Sequence, residues 1–415
     1  MKKWFIILTI IFFTGCISSA TLAGRIFYKE LKTYEDYDKK DLQVQALENI
    51  FVDSDVPVEI HPTTQAPYVE FSQSFIDLVG IAPEYQLEVQ EKGNSTYINL
   101  NKIEDVLIWL GVKENKAKLN LYLPEGDINK LKVEAYGNDI RNEHRSTINL
   151  DKINVKDVDI DTYHTDIILD GAYEKVNIQA DSNSLNMKST IETTLYTTGR
   201  MEQNLSGKFK KISIEGNHGA INIDSTNISS VEIENYYGSI NLTGQYELIS
   251  LKGEGNDIDL SSQVECKLIT EGQANRIHAN GPFKAITLEE GGSEIEVQTT
   301  IVPKKITMLE EARQSNLILT LPSNIPGFIL RYVDEEYNEY AYYDDLGYMD
   351  DEYIRAEQSK NDIKNVKSEF EPINETNKNG QLIYQYGNGD TCILLNRNSG
   401  LTLELIDGGY SSVIE

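Results

Sequence analysis

Between Val158 and Met308 the chain alternates apolar and polar residues in short pairs that recur at a nearly constant step. The first pairs stand at Val158/Ile160, Val176/Ile178, Ile212/Ile214, Val231/Ile233, Ile249/Leu251, Leu268/Thr270, Ile286/Leu288 and Ile306/Met308. Their starts are separated by 18, 36, 19, 18, 19, 18 and 20 residues, the 36 covering two steps with a poorly matching unit around Thr194 and Tyr196. A second pair follows nine residues after the first: Ile167/Leu169, Leu185/Met187, Ile221/Ile223, Ile240/Leu242, Ile258/Leu260, Ile277/Ala279 and Ile295/Val297. Period two within each pair predicts a short strand with one face buried.

Seven residues after each first apolar position stand Thr165, Asn183, Gly219, Gly238, Asn256, Asn275 and Ser293, five of the seven being Gly or Asn. These residues enter left-handed backbone at least cost, which predicts a tight corner between the two strands. A unit so small cannot bury its apolar face alone. Stacked on its copies at about 4.8 Å, however, it builds a continuous core. The expected fold is all-β: a parallel β-solenoid of 18 to 20 residue coils with two short strands per coil. A stack of antiparallel hairpins would also give period-two strands, but it requires neither a constant step nor one corner chemistry.

Upstream, Ile50 to Ile60, Tyr68 to Phe71, Tyr85 to Val89, Tyr97 to Leu100 and Lys118 to Leu123 also alternate, and a short helix is expected over Lys102 to Leu110. This lead-in would cap the solenoid, whose end must hide unpaired strand edges. Downstream, acidic residues and tyrosines interleave from Val333 to Glu357, and alternation returns over Leu382 to Leu405, with Cys392, Leu394, Leu401 and Leu403 expected to form a closing coil. The resulting divisions are 1–24 signal or anchor, 25–46 polar stalk, 47–130 lead-in and cap, 131–332 solenoid, 333–380 acidic insertion and loop, and 381–415 closing coil.

Lys2 and Lys3 precede an apolar stretch from Trp4 to Phe13, which weakly polar residues to Gly24 extend to about 20 residues, the length a bilayer core requires. Phe13-Thr14-Gly15-Cys16 resembles a lipobox with Phe where Leu is usual, making Cys16 a candidate for lipidation. An uncleaved helix with a cytoplasmic start and cleavage after Ala20 or Ala23 are the alternatives. All three place residues 25 onward outside the cytoplasm.

Charge and composition narrow the chemistry. Lys and Arg number 38 against 66 Asp and Glu, a net charge of 38 − 66 = −28, which argues against a nucleic-acid partner. Three scattered cysteines, Cys16, Cys266 and Cys392, exclude a disulfide framework and a paired-thiolate zinc site. The histidines His61, His144, His164, His218 and His278 are isolated, and the chain contains no catalytic or nucleotide-binding signature, so neither catalytic residues nor a cofactor are expected. Asp344, Asp345, Asp350, Asp351 and Glu352 offer hard oxygen ligands to a divalent cation, although their spacing misses the calcium-loop pattern.

Several stretches resemble the bacterial family called putative adhesin, a domain of unknown function on membrane-anchored proteins. The residues that carry the resemblance are Leu47 to Ile60, Lys118 to Gly126, the corner followed by Ile-x-Ile or Ile-x-Leu, Leu317 to Pro322, Tyr386 to Gly389 and Asn398 to Gly400, in all about 300 residues. It implies a β-solenoid outside the membrane without established enzymatic activity. Together these features lead to the expectation of a non-enzymatic, membrane-tethered surface protein of bacteria that binds an envelope protein or polysaccharide. An accessory sensor of envelope stress and a carbohydrate-active β-helix are the other two classes, the latter opposed by the small coil.

Overall fold

The structure, a computed structural model, describes residues 32–77, 84–104, 117–135, 146–181, 183–308, 315–322, 327–333, 366–368, 374–378, 381–387, 391–396 and 402–407. The chain divides into two units, one of residues 1–149 and 161–165, the other of residues 150–160 and 166–415.

In the second unit the inward residues of successive coils lie in register in two parallel ladders. The first runs Val176, Leu195, Ile212, Val231, Ile249, Leu268, Ile286, Ile306. The other joins Ile167, Leu185, Gln203, Ile221, Ile240, Ile258, Ile277, Ile295 and Leu317. All of these residues are buried, and all but Gln203 are apolar. Removing each Ile or Leu from water contributes about 1.5–3 kcal/mol, so the stack, rather than any single coil, supports the fold. A third buried row, which the alternation did not reveal, fills the return side with Tyr173, Phe209, Tyr246 and Phe283.

The unit around residue 194 corrects the sequence reading by one residue. Leu195 and Thr197 face inward and are fully buried, while Tyr196 is exposed. The strand Asn183–Thr198 runs its 16 residues without the usual break, and the polar Thr197 takes an apolar position by hydrogen bonding Gln203 Oε1 at 3.1 Å. A satisfied buried polar pair leaves no hydrophobic signature.

The corners differ more instructively. The left-handed residues are His164, His218, Tyr237 and Ala274, with φ of 50, 59, 55 and 52°, together with Gly255 and Gly292, each one position before the expected corner residue. The expected residues satisfy backbone instead. The amide N–H of Gly238 donates to Asn256 Oδ1 (3.1 Å), that of Asn256 to Asn275 Oδ1 (2.9 Å), that of Asn275 to Ser293 Oγ (3.0 Å), and that of Ser293 to Ser315 Oγ (3.2 Å). Each coil's turned-away amide is thus bonded by a side chain of the next coil. Gly238 itself is glycine because a Cβ there would collide with the carbonyl oxygen of Gly219 and the side chain of Asn235.

After Leu321 the chain skips a rung that Thr391–Asn396 and Thr402–Asp407 later fill, pairing in parallel with Lys305–Met308 and Asn316–Leu321 on one side and with Gly327–Val333 and Val366–Ser368 on the other. Ile393 and Leu395, rather than the expected Cys392 and Leu394, fall in register with Ile306 and Met308, and Leu403 and Leu405, rather than the expected Leu401 and Leu403, with Leu317 and Leu319. Leu401 lies outside the described residues.

The first unit already contains parallel stacking. Asn49–Ser54 pairs in parallel with both Ser95–Glu104 and Gly126–Ala135, and Val58–Thr63 pairs with Lys118–Pro124. Ser54 and Val56 close a side-chain turn that splits the expected Ile50 to Ile60 strand in two. Two expectations change here. Lys32–Asp41, read as stalk, is a strand antiparallel to Tyr68–Asp77, and Lys102 to Glu104, read as the start of a helix, end the strand Ser95–Glu104, which pairs with Glu84–Lys92. Residues 105–110 of that expected helix lie outside the described residues. Among the described residues no helix is long and apolar enough to cross a membrane.

Candidate functional site

In an Ile-x-Ile strand the middle residue points outward, and in the second ladder these positions align as Asn186, Asn204, Asn222, Asn241, Asp259, His278, Glu296 and Ile318. The first four form an amide ladder, with Nδ2 of each later residue donating to Oδ1 of the one before at 3.0, 3.0 and 2.9 Å. Stacked identical amides bond to one another at the rung spacing, as in other in-register sheets. From Asp259 onward the ladder stops. His278 Nδ1 instead lies 3.2 Å from Glu296 Oε2, both side chains being partly exposed.

Two residues along each strand, a parallel outward row carries Thr243, Ser261, Asn280, Gln298 and Thr320, roughly 6–7 Å from the first row. Between Asn241 and Thr320 the two rows border an open groove of about 350 Å³, its floor made by the backbone over Leu242, Leu260, Ala279 and Val297. It spans five rungs, about 19 Å along the stack. Neither row contributes a Lys or Arg there. The carboxylates of Asp259 and Glu296 are exposed, an arrangement that accepts hydrogen bonds and does not take a reacting bond out of water.

The remaining sequence candidates are dispersed. His61 stacks on Tyr122 and lies 3.4 Å from Glu59, whereas His164 and His218 occupy left-handed corners. His144, Cys16, Asp344, Asp345, Asp350, Asp351 and Glu352 lie outside the described residues. Among the described residues no three His, Cys, Asp or Glu side chains converge as metal ligands. Pairing of tyrosine with acid does recur within the coils: Tyr236 donates to Glu234 at 3.0 Å, and this bond raises its pKa above the ordinary tyrosine value.

Sequence reasoning missed one buried carboxyl, Glu290. It accepts hydrogen bonds from Asn275 Nδ2 and Ser293 Oγ, both at 2.9 Å, and burial pushes its pKa up against the opposing effect of those bonds. Cys266 is likewise buried, and burial raises its thiol above the usual range, the opposite of an activated nucleophile. Among the described residues the polar groove is a surface on which several side-chain donors and acceptors stand open.

The family model described as Toastrack DUF4097 matches residues 47–273. No curated protein matches the chain. The crystal structure of a putative cell adhesion protein from Clostridium sporogenes aligns with 90% of this chain and 96% of its own, at 11% identity and a TM-score of 0.16.

Proposed function

The chain belongs to the Toastrack DUF4097 family, and from that premise we propose that it is a non-enzymatic, membrane-tethered extracytoplasmic protein whose solenoid presents an outward face for adhesion or for binding an envelope component. The observation that carries this reading is the in-register repetition of outward polar side chains from Asn186 to Glu296. A stack of coils converts one side chain into a row, and a row matches an extended partner better than a small molecule. Lys2, Lys3 and the apolar stretch behind them support tethering, with Cys16 as the candidate attachment point.

Intact bacteria producing the full chain test the placement. Labelling by a membrane-impermeant amine reagent, together with recovery in the membrane fraction, is the expected result. Recovery as an unlabelled soluble cytoplasmic protein would overturn it.

A further inference from the structure

We propose that the groove between Asn241 and Thr320 binds an uncharged glycan chain laid along the solenoid axis. This deepens the reading above, on which it rests, by giving the bound envelope component a chemical class. The first argument is open hydrogen-bonding capacity. Asn241 gives its amide to the ladder, but Asp259, Ser261, Asn280 and Gln298 have no side-chain hydrogen-bond partner among the described residues. Mixed carboxylate, hydroxyl and amide groups are what a chain of hydroxyls needs, since each sugar hydroxyl both donates and accepts.

Geometry gives the direction. Rungs repeat at about 4.8 Å, close to the length of one sugar unit in an extended chain, so a chain running along the axis meets equivalent side chains at each unit. A peptide cannot join here by strand addition, because the backbone groups beneath the groove are already paired within the parallel ladders.

Charge excludes anionic polymers. With two carboxylates and no Lys or Arg in the bordering rows, the groove repels phosphate, sulfate and uronate groups. No Phe, Tyr or Trp ring borders the groove, so each sugar is held weakly and affinity must grow with the number of units engaged.

The test uses the full chain in a sugar-free detergent, titrated with a hexamer of β-1,4-linked N-acetylglucosamine. The hexamer is expected to bind at least about tenfold more tightly than the dimer. Ser261→Leu, which removes an open hydroxyl from the row and puts an apolar, non-stacking side chain in its place, should weaken hexamer binding by a similar factor without lowering the melting temperature. Glu232→Gln, on the other ladder, should bind as the parent does. If Ser261→Leu fails to fold, Asp259→Asn gives the answer through a severalfold loss. Absence of hexamer binding, binding indifferent to Ser261→Leu and Asp259→Asn, or preference for a polygalacturonate hexamer would each overturn the proposal. Isolated envelopes separate it from the broader reading. A chain that binds envelopes but not the hexamer overturns the glycan alone, one that binds neither overturns both, and one that binds only the hexamer keeps the groove and overturns the adhesive role.

Discussion

Ile240 and Glu232 sit on consecutive coil strands, and their substitution should have opposite consequences. Ile240 is fully buried between Ile221 and Ile258, so Ile240→Asp places a charge where no partner exists and should cost several kcal/mol in thermal or urea unfolding. Glu232 is half-exposed and paired with Lys211 at 2.9 Å, so Glu232→Lys should cost less than about 1 kcal/mol in the same experiment. At Gly238 the crowding by Gly219 and Asn235 excludes any side chain, so Asn should destabilise as Val does, and a denaturation curve of Gly238→Asn matching the parent would contradict this. Glu290 has a raised folded pKa, so the stability it contributes is complete below its unfolded pKa and falls as pH rises through the folded one. Glu290→Gln should therefore raise the melting temperature relative to the parent at pH 8 and lose that advantage near pH 4. Inward positions such as Ile240 were legible because burial imposes period two. Glu290 and the corner acceptors were not, because the side chain that satisfies an amide belongs to the following coil, and Asn256 and Asn275 look the same in sequence whether they turn the chain or bond it.

At the scale of elements the coil is the unit, and it should be removable. Val231 and Ile249 occupy the same ladder position, 249 − 231 = 18 residues apart, so deleting residues 231–248 lets Ile249 take the place of Val231. The shortened protein should fold and melt a few degrees lower, whereas deleting residues 231–239 should abolish the cooperative transition, as circular dichroism would show. Elements that the alternation pattern missed share a cause. Lys32–Asp41 pairs through its backbone with Tyr68–Asp77 and presents mostly polar side chains, so nothing in its sequence marks burial. Ser95–Glu104 ends in Asn101-Lys102-Ile103-Glu104, where polar residues on an exposed end permit either helix or strand until a partner strand decides.

For the whole molecule, the net charge of −28 and the stacked polar face point to an extended partner that carries no negative charge. The parallel solenoid was legible because its step is nearly constant, and a repeat is a property of the whole chain rather than of any residue. The groove was not, since Asp259, Ser261, His278 and Asn280 come together only when coils stack. Tethering has its own test: Cys16→Ala should remove fatty-acid labelling and slow the migration of the retained precursor, while unlabelled wild-type protein would favour a helical anchor or cleavage. Co-sedimentation of the full-length protein, held in detergent, with detergent-extracted cell envelopes, which offer no lipid to the N-terminal apolar stretch, tests most directly whether the outward face is what the molecule presents. The parent should sediment with the extracted envelopes and a Ser261→Leu/Gln298→Leu variant of equal melting temperature should stay in the supernatant, whereas equal sedimentation of the two, or of neither, would contradict the account.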